Sequence, residues 1–251
     1  MKQFDIITIF PRIFDSYFSE SILKRALKKK LIKINVVDLR KYAKGRHRQV
    51  DDRPYGGGPG MILMVEPIAK ALRAIVKNKK SEIRNQKIRI VMLTPAGKKF
   101  DQREAERLAK YDQLVLLCGR YEGFDARVDK LVDEKISIGD YVLAGGELPA
   151  MVITEAVARQ VKGVVGHEHA LDEETFSPPY AKASGGKKNL DYIEYPQYSR
   201  PEVLEIRDHR SEIRNKKSEI RKLVVPKVLL SGNHAKIKDW RKKKARSQGK
   251  R

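Results

Sequence analysis

A single cysteine, Cys118, in 251 residues rules out an intramolecular disulfide, and no Cys or His spacing suits a zinc site. Long apolar runs are also missing. None approaches the ~20 residues that span a bilayer, and the first residues carry no signal-peptide pattern. A soluble protein in a reducing, cytoplasmic setting is therefore expected. Acidic residues are few relative to basic ones, 32 against 54, for a net charge of +22 and a pI near 10.0. An excess of that size calls for a polyanionic partner, most simply nucleic acid. Half of it, +11, falls within Pro201 to Arg251, which makes the C-terminal part the electrostatic platform. Neither a Gly-Lys-Ser/Thr loop nor a GxGxxG turn occurs, so nucleoside triphosphate and dinucleotide sites are unsupported.

What is present is an α/β pattern with 41% hydrophobic residues, enough for one large domain and a small one. Short β-branched runs at Phe4–Phe10, Ile32–Val37, Ile88–Leu93, Leu114–Leu117 and Ile136–Leu143 predict strands of a covered sheet. Helical periodicity lies between them at Ser19–Lys30, Glu66–Val76, Asp101–Lys110 and Pro149–Val161, with a capping-box spacing of Asp101 and Glu104. The alternation predicts a mostly parallel sheet. From His167 to Lys188 the chain turns polar and rich in Pro, Gly, Ser and Lys, as a linker does. Beyond it, Ser231-Gly-Asn-His234 leads into a final helix from Ala235 to about Lys244, whose end, Arg241 to Arg246, is either a solvated tail or a nucleic-acid contact. Ser-Glu-Ile-Arg recurs at 81, 211 and 218, too irregularly for a solenoid, and the copies at 81 and 211, both followed by Asn, read as surface insertions, helical or disordered.

Five segments can carry chemistry. Ser137 to Met151 ends an apolar run in Gly145-Gly146 just before a helix start, a turn that exposes backbone donors and leaves room for a flat ligand. Leu93-Thr-Pro-Ala-Gly97 and Leu117 to Asp125 each leave a strand end through a glycine turn, where ligands collect in open α/β sheets. Asp51 to Met61 packs four glycines into five positions, as a flexible loop or a backbone wrap for a phosphate or base. Asp172-Glu-Glu-Thr-Phe176, with Arg159 on the preceding helix, supplies a carboxylate that can act as a base and a cation that can hold developing charge; the plain alternative is solvated linker acids.

In this order the segments resemble the bacterial tRNA (guanine-N1)-methyltransferases, the TrmD family of the knotted SPOUT class. The resemblance rests on Phe4 to Pro11, Asp51 to Met61, Leu93 to Gly97, Leu117 to Val128, Ser137 to Met151, Tyr195 to Pro201, Val225 to His234 and Trp240-Arg241. It implies a SPOUT-type domain over 1–166 with a deep trefoil knot, a flexible linker over 167–188 and a small, mainly helical tRNA-binding domain over 189–251. It also implies methylation of N1 of the guanine just 3′ of the anticodon (position 37) by S-adenosylmethionine, a homodimer with a composite active site, and a link to magnesium with no metal ligands assigned. By motif match the cofactor would contact Leu93, Thr94, Pro95, Gly119, Tyr121, Ile138, Gly139, Asp140, Tyr141, Val142, Leu143, Gly145 and Gly146. Asp51, Gly58, Glu122, Arg200 and His234 would place the RNA.

The chemistry is consistent with that assignment. Guanine N1 is protonated at neutral pH and needs a base, while the charge that moves to O6 needs a cation. Arg159 matches the family arginine. Glu174-Thr175-Phe176 stands where the family typically has Asp-Ser-Phe, so Glu174 is expected to be the base, with Glu173 and Asp172 as its alternatives. Two other readings stay open: a SPOUT methyltransferase acting on a ribose 2′-OH or ribosomal RNA, and a non-catalytic basic RNA-binding protein.

Overall fold

The computed structural model describes residues 1–77, 86–166, 174–176, 192–207 and 220–248. The chain divides into two compact units, Met1–Glu168 and His169–Arg251. In the first, the strands are β1 (Lys2–Thr8), β2 (Ile32–Asp38), β3 (Asp51–Asp52), β4 (Ile62–Leu63), β5 (Ile88–Lys99), β6 (Gln113–Cys118) and β7 (Glu134–Ser137). Its helices are α1 (Asp15–Phe18), α2 (Ser21–Lys28), α3 (Val65–Lys77), α4 (Gln102–Ala109) and α5 (Glu147–Arg159).

Five of the strands form one all-parallel sheet in the order β2-β1-β6-β5-β7. Ile6 lies opposite Val36 and Leu116, and Leu116 opposite Val91. Alternation sends Phe4, Ile6, Val91, Leu114, Leu116 and Ile136 to a layer containing Leu23 of α2, Leu108 of α4, and Ile153 and Val157 of α5. Ile7, Met92, Val115 and Leu117 meet Leu39 and, from α3, Ile68, Ala71 and Leu72. Burial on both faces is why these strands read as apolar runs rather than as alternating patterns. One polar rung crosses the core: the buried Asp5 carboxylate accepts from Asn35 Nδ2 at 2.8 Å and Gln113 Nε2 at 2.6 Å on the flanking strands, and from Gln3 Nε2 at 2.8 Å.

The capping-box spacing is half realised. Asp101 Oδ1 accepts from Glu104 N at 2.9 Å, but the Glu104 carboxylate turns to Lys98 and Arg107 instead. Two strand expectations need correction. Strand β7 stops at Ser137, and Ile138 to Leu143 leave the sheet as a loop. Strand β5 runs past Leu93 to Lys99: Leu93 and Lys98 both lie opposite Ile136, so Thr94–Gly97 bulge out of the ladder. A Cβ on Gly97 would lie 2.5 Å from the Ile136 backbone, so the bulge closes only over glycine.

In the second unit, β8 (Val203–Arg207) pairs antiparallel with β9 (Ile220–Val224), followed by α6 (Lys227–Leu230) and α7 (His234–Gln248). Asn233 Oδ1 accepts from Lys236 N at 3.1 Å and caps α7, the entry its sequence suggested. The ribbon was not anticipated, and Ile220-Arg221 of the third Ser-Glu-Ile-Arg copy lie in its second strand. The copies at 81 and 211 lie outside the described residues, as does most of the 167–188 linker.

Candidate active site

The carboxyl ends of β5, β6 and β7 open into a cleft of about 500 Å³. Three segments wall it: the Thr94–Gly97 bulge, the turn after Cys118, and the loop from Ile138 to Gly146. Of the positions expected to hold a cofactor, Leu93, Thr94, Pro95, Gly119, Tyr121, Ile138, Gly139, Tyr141, Val142, Leu143, Gly145 and Gly146 all line this cleft. Asp140 does not; its side chain is 83% exposed and pairs with Lys99 at 2.5 Å.

Two walls touch through glycine backbone. Gly146 N donates to Gly119 O at 2.9 Å, and a Cβ on Gly146 would fall 2.7 Å from Cys118 Cα. Tyr121 holds φ +59°, a left-handed conformation costly for an aromatic residue and concentrated at functional sites. The Cys118 thiol behind this turn is pushed well above its ordinary pKa by burial and then by the nearby Glu147 charge, which leaves it an inert packing group.

The glycine-rich loop joins the same site from the other layer. Strands β3 and β4 close it as a short antiparallel pair, Asp51 opposite Leu63. Glu122 N donates to Met61 O at 3.0 Å and Leu63 N to Gly123 O at 2.8 Å. Gly60, at φ +78°, packs so closely that a Cβ would fall 2.6 Å from Glu122 Cγ. Asp51, Gly58 and Glu122 thus belong to one loop system at the cleft edge, with Tyr55 fully exposed at its tip.

Arg159 is elsewhere. It ends α5, roughly 20 Å along the helix axis from Gly146, well beyond the reach of an arginine side chain. There it borders a second, apolar depression with Tyr17, Leu148, Met151, Val152, Glu155 and Ala156. Arg200 and His234 are exposed in the second unit, and Glu174 is half-buried there; Asp172 and Glu173 lie outside the described residues. In that unit Tyr198 and Trp240 make a tilted ring pair, and the Arg241 guanidinium lies 4.8 Å from the Tyr195 ring centroid. Motif reasoning missed Arg120 and Glu147, whose ion pair underlies Gly145; the only signal for Arg120 was its place between Gly119 and Tyr121.

A family model described as tRNA (Guanine-1)-methyltransferase TrmD matches residues 1–251. The chain belongs to the TrmD family. Among its relatives, the tRNA (guanine-N(1)-)-methyltransferase of Carboxydothermus hydrogenoformans is 46% identical over 244 residues, covering 97% of this chain and 82% of that protein. The enzyme of the same name from Mycoplasmopsis synoviae is 44% identical over 241 residues, covering 96% and 90%. The crystal structure of tRNA (m1G37) methyltransferase from Aquifex aeolicus superimposes with a TM-score of 0.70 at 33% identity, covering 95% of this chain and 87% of that one. TrmD membership assigns tRNA guanine-1 methylation, with S-adenosylmethionine as the donor a methyltransferase of this family uses. Among the described residues, no helix is long and apolar enough to cross a membrane.

Proposed function

We propose that the chain transfers a methyl group from S-adenosylmethionine to N1 of the guanine immediately 3′ of the anticodon, the m1G37 reaction named for the Aquifex aeolicus relative. The cleft carries this reading. Its volume falls within the ~300–1,000 Å³ usual for cofactor sites. Its lining is apolar at Leu93, Pro95, Ile138 and Leu143, and it is floored by glycine backbone that a Cβ would obstruct. Leu93 to Pro95, Gly119, Tyr121, Ile138, Gly139, Tyr141 to Leu143, Gly145 and Gly146 would hold the donor. Its sulfonium supplies a methyl group that needs no further activation.

The chain's own part is proton and charge handling. Glu174 takes the N1 proton, and Arg159 holds the negative charge that moves to O6. Asp51, Gly58 and Glu122 place the guanine beside the cleft, and Arg200 and His234 contact the RNA. Domain limits of 1–166, 167–188 and 189–251, with a deep trefoil knot in the first, complete the reading, and cytoplasm is the compartment of such an RNA substrate. Magnesium dependence is left to a chelator titration of the assay.

A homodimer with a composite site accounts for where Arg159 lies. Leu148 and Val152 on α5 are 57% and 47% exposed and border one apolar depression with the exposed Tyr17. A two-fold axis through that apolar face brings the end of one α5 toward the start of its partner.

The test uses methyl-labelled S-adenosylmethionine and two tRNA transcripts differing only in guanine or adenine after the anticodon. Label confined to the guanine transcript, at N1, is the expected result. Equal labelling of both would favour another SPOUT RNA methyltransferase, and absence of donor binding a non-catalytic RNA-binding protein.

A further inference from the structure

We infer that Glu147 is a positioning residue that holds the two walls of the donor cleft together, through a closed ring of contacts with Thr8, Phe10 and Arg120. The inference rests on the reading of this cleft as the S-adenosylmethionine site. Glu147 is the first residue of α5 and is 1% exposed, and both its carboxylate oxygens are engaged. Thr8 Oγ1, at the carboxyl end of β1, donates to Oε1 at 2.7 Å, and Arg120 Nε donates to Oε2 at 2.9 Å. Phe10 N donates to Thr8 Oγ1 at 2.9 Å, and the Arg120 guanidinium lies 4.8 Å from the Phe10 ring centroid, which closes the ring.

Gly145 lies directly on this ion pair. A Cβ there would fall 2.2 Å from Arg120 Nε and 2.6 Å from Glu147 Oε2, and Arg120 and Gly145 form a β-bridge. Arg120 Nη1 also donates to Ala144 O at 3.4 Å. The loop that carries Ile138 to Leu143 is therefore pinned at its exit to the turn that carries Gly119 and Tyr121. A buried carboxylate fixed by a cation on one side and a hydroxyl on the other has one available position, and the turn inherits that precision. Neither Thr8 nor Glu147 lines the cleft itself, so both act on the donor only through Arg120 and the Gly145-Gly146 turn.

The experiment measures S-adenosylmethionine binding by calorimetry, KM and kcat for donor and tRNA, and Tm, for Glu147→Gln, Thr8→Val, their double variant and Tyr141→Ala. Glu147→Gln is expected to raise donor Kd and KM roughly tenfold or more, since small misplacements of positioning groups carry penalties of that order, with tRNA KM held within about twofold. Thr8→Val shifts the donor constants the same way by less, and the double variant falls short of the product of the two effects, as members of one network do. Lower Tm in both single variants with unchanged donor constants would reduce the ring to a stability element and overturn the inference. Should Glu147→Gln fail to fold, Thr8→Val decides by the same criterion. If Tyr141→Ala leaves donor Kd unchanged, the donor binds elsewhere, and the site reading falls together with the inference; a shift in Tyr141→Ala without one in Glu147→Gln overturns the inference alone.

Discussion

Glu174 is the base in the reading proposed above, and its neighbours Glu173 and Asp172 offer the same carboxylate chemistry in other registers. With Glu174 as base, Glu174→Gln loses roughly 100-fold or more in kcat, the usual share of a positioned general base, while donor Kd stays unchanged. Near-normal turnover of Glu174→Gln together with loss in Glu173→Gln or Asp172→Asn would move the base to that neighbour; single-turnover methyl transfer reads the difference. A second residue sets a pH response at the far end of β1. Lys2 Nζ donates to Leu108 O at 2.6 Å and to Tyr111 O, and burial lowers its pKa from 10.5 to about 8, partly offset by Asp112. Between pH 8 and 10.5 the unfolded chain binds the extra proton, so this group adds stability as pH rises through that window and contributes no slope below it. Urea unfolding at stepped pH checks this: the wild type minus Lys2→Met difference rises from pH 8 to 10.5 and is flat from 6 to 7.5. Glycine turns at strand ends marked the segments that wall the cleft, and the resemblance to the family supplied the individual positions, twelve of which line it. Glu147 was not legible, since its role depends on Thr8, 139 residues away in the chain.

Among the elements, α5 carries three jobs along one axis. Its first turn holds Glu147 under the cleft and exposes Leu148, its middle exposes Val152, and its last residue is Arg159. The inward face, with Ala150, Ile153 and Val157, belongs to the core and explains why the helix was readable from periodicity. The outward apolar residues do not serve the chain's own core, so on the proposed homodimer through this face Val152→Glu yields a folded monomer by light scattering and circular dichroism, with Tm no longer dependent on protein concentration, and lowers methyl transfer at least tenfold. A dimeric, active Val152→Glu would remove this face from the interface. Strand boundaries were less legible than helices. Ile138, Tyr141, Val142 and Leu143 read as part of a strand but line a cleft rather than a sheet, and Pro95 and Gly97 signalled a turn where β5 in fact bulges and rejoins β7. The β8–β9 ribbon gave no sign, because its strands are exposed at Val203 to Ile206 and Ile220 to Val224 and mix charged with apolar residues.

For the whole molecule the dominant quantity is charge. A net +22 on 251 residues attracts any polyanion, so charge speeds capture of RNA but does not by itself select what is methylated. Half the excess lies from Pro201 onward, and α7 presents exposed Lys236, Lys238 and Lys243. If these lysines meet tRNA phosphates, binding weakens steeply with salt, because each neutralised phosphate releases counterions. Lys236→Gln, Lys238→Gln and Lys243→Gln combined should lower tRNA affinity and flatten the log Kd against log salt slope by about 0.7–0.9 per lost contact, with donor Kd untouched. Fluorescence titration of tRNA over a salt series reads both quantities. A triple variant with the wild-type slope would place the phosphate contacts on other cations and leave α7 as a merely solvated helix.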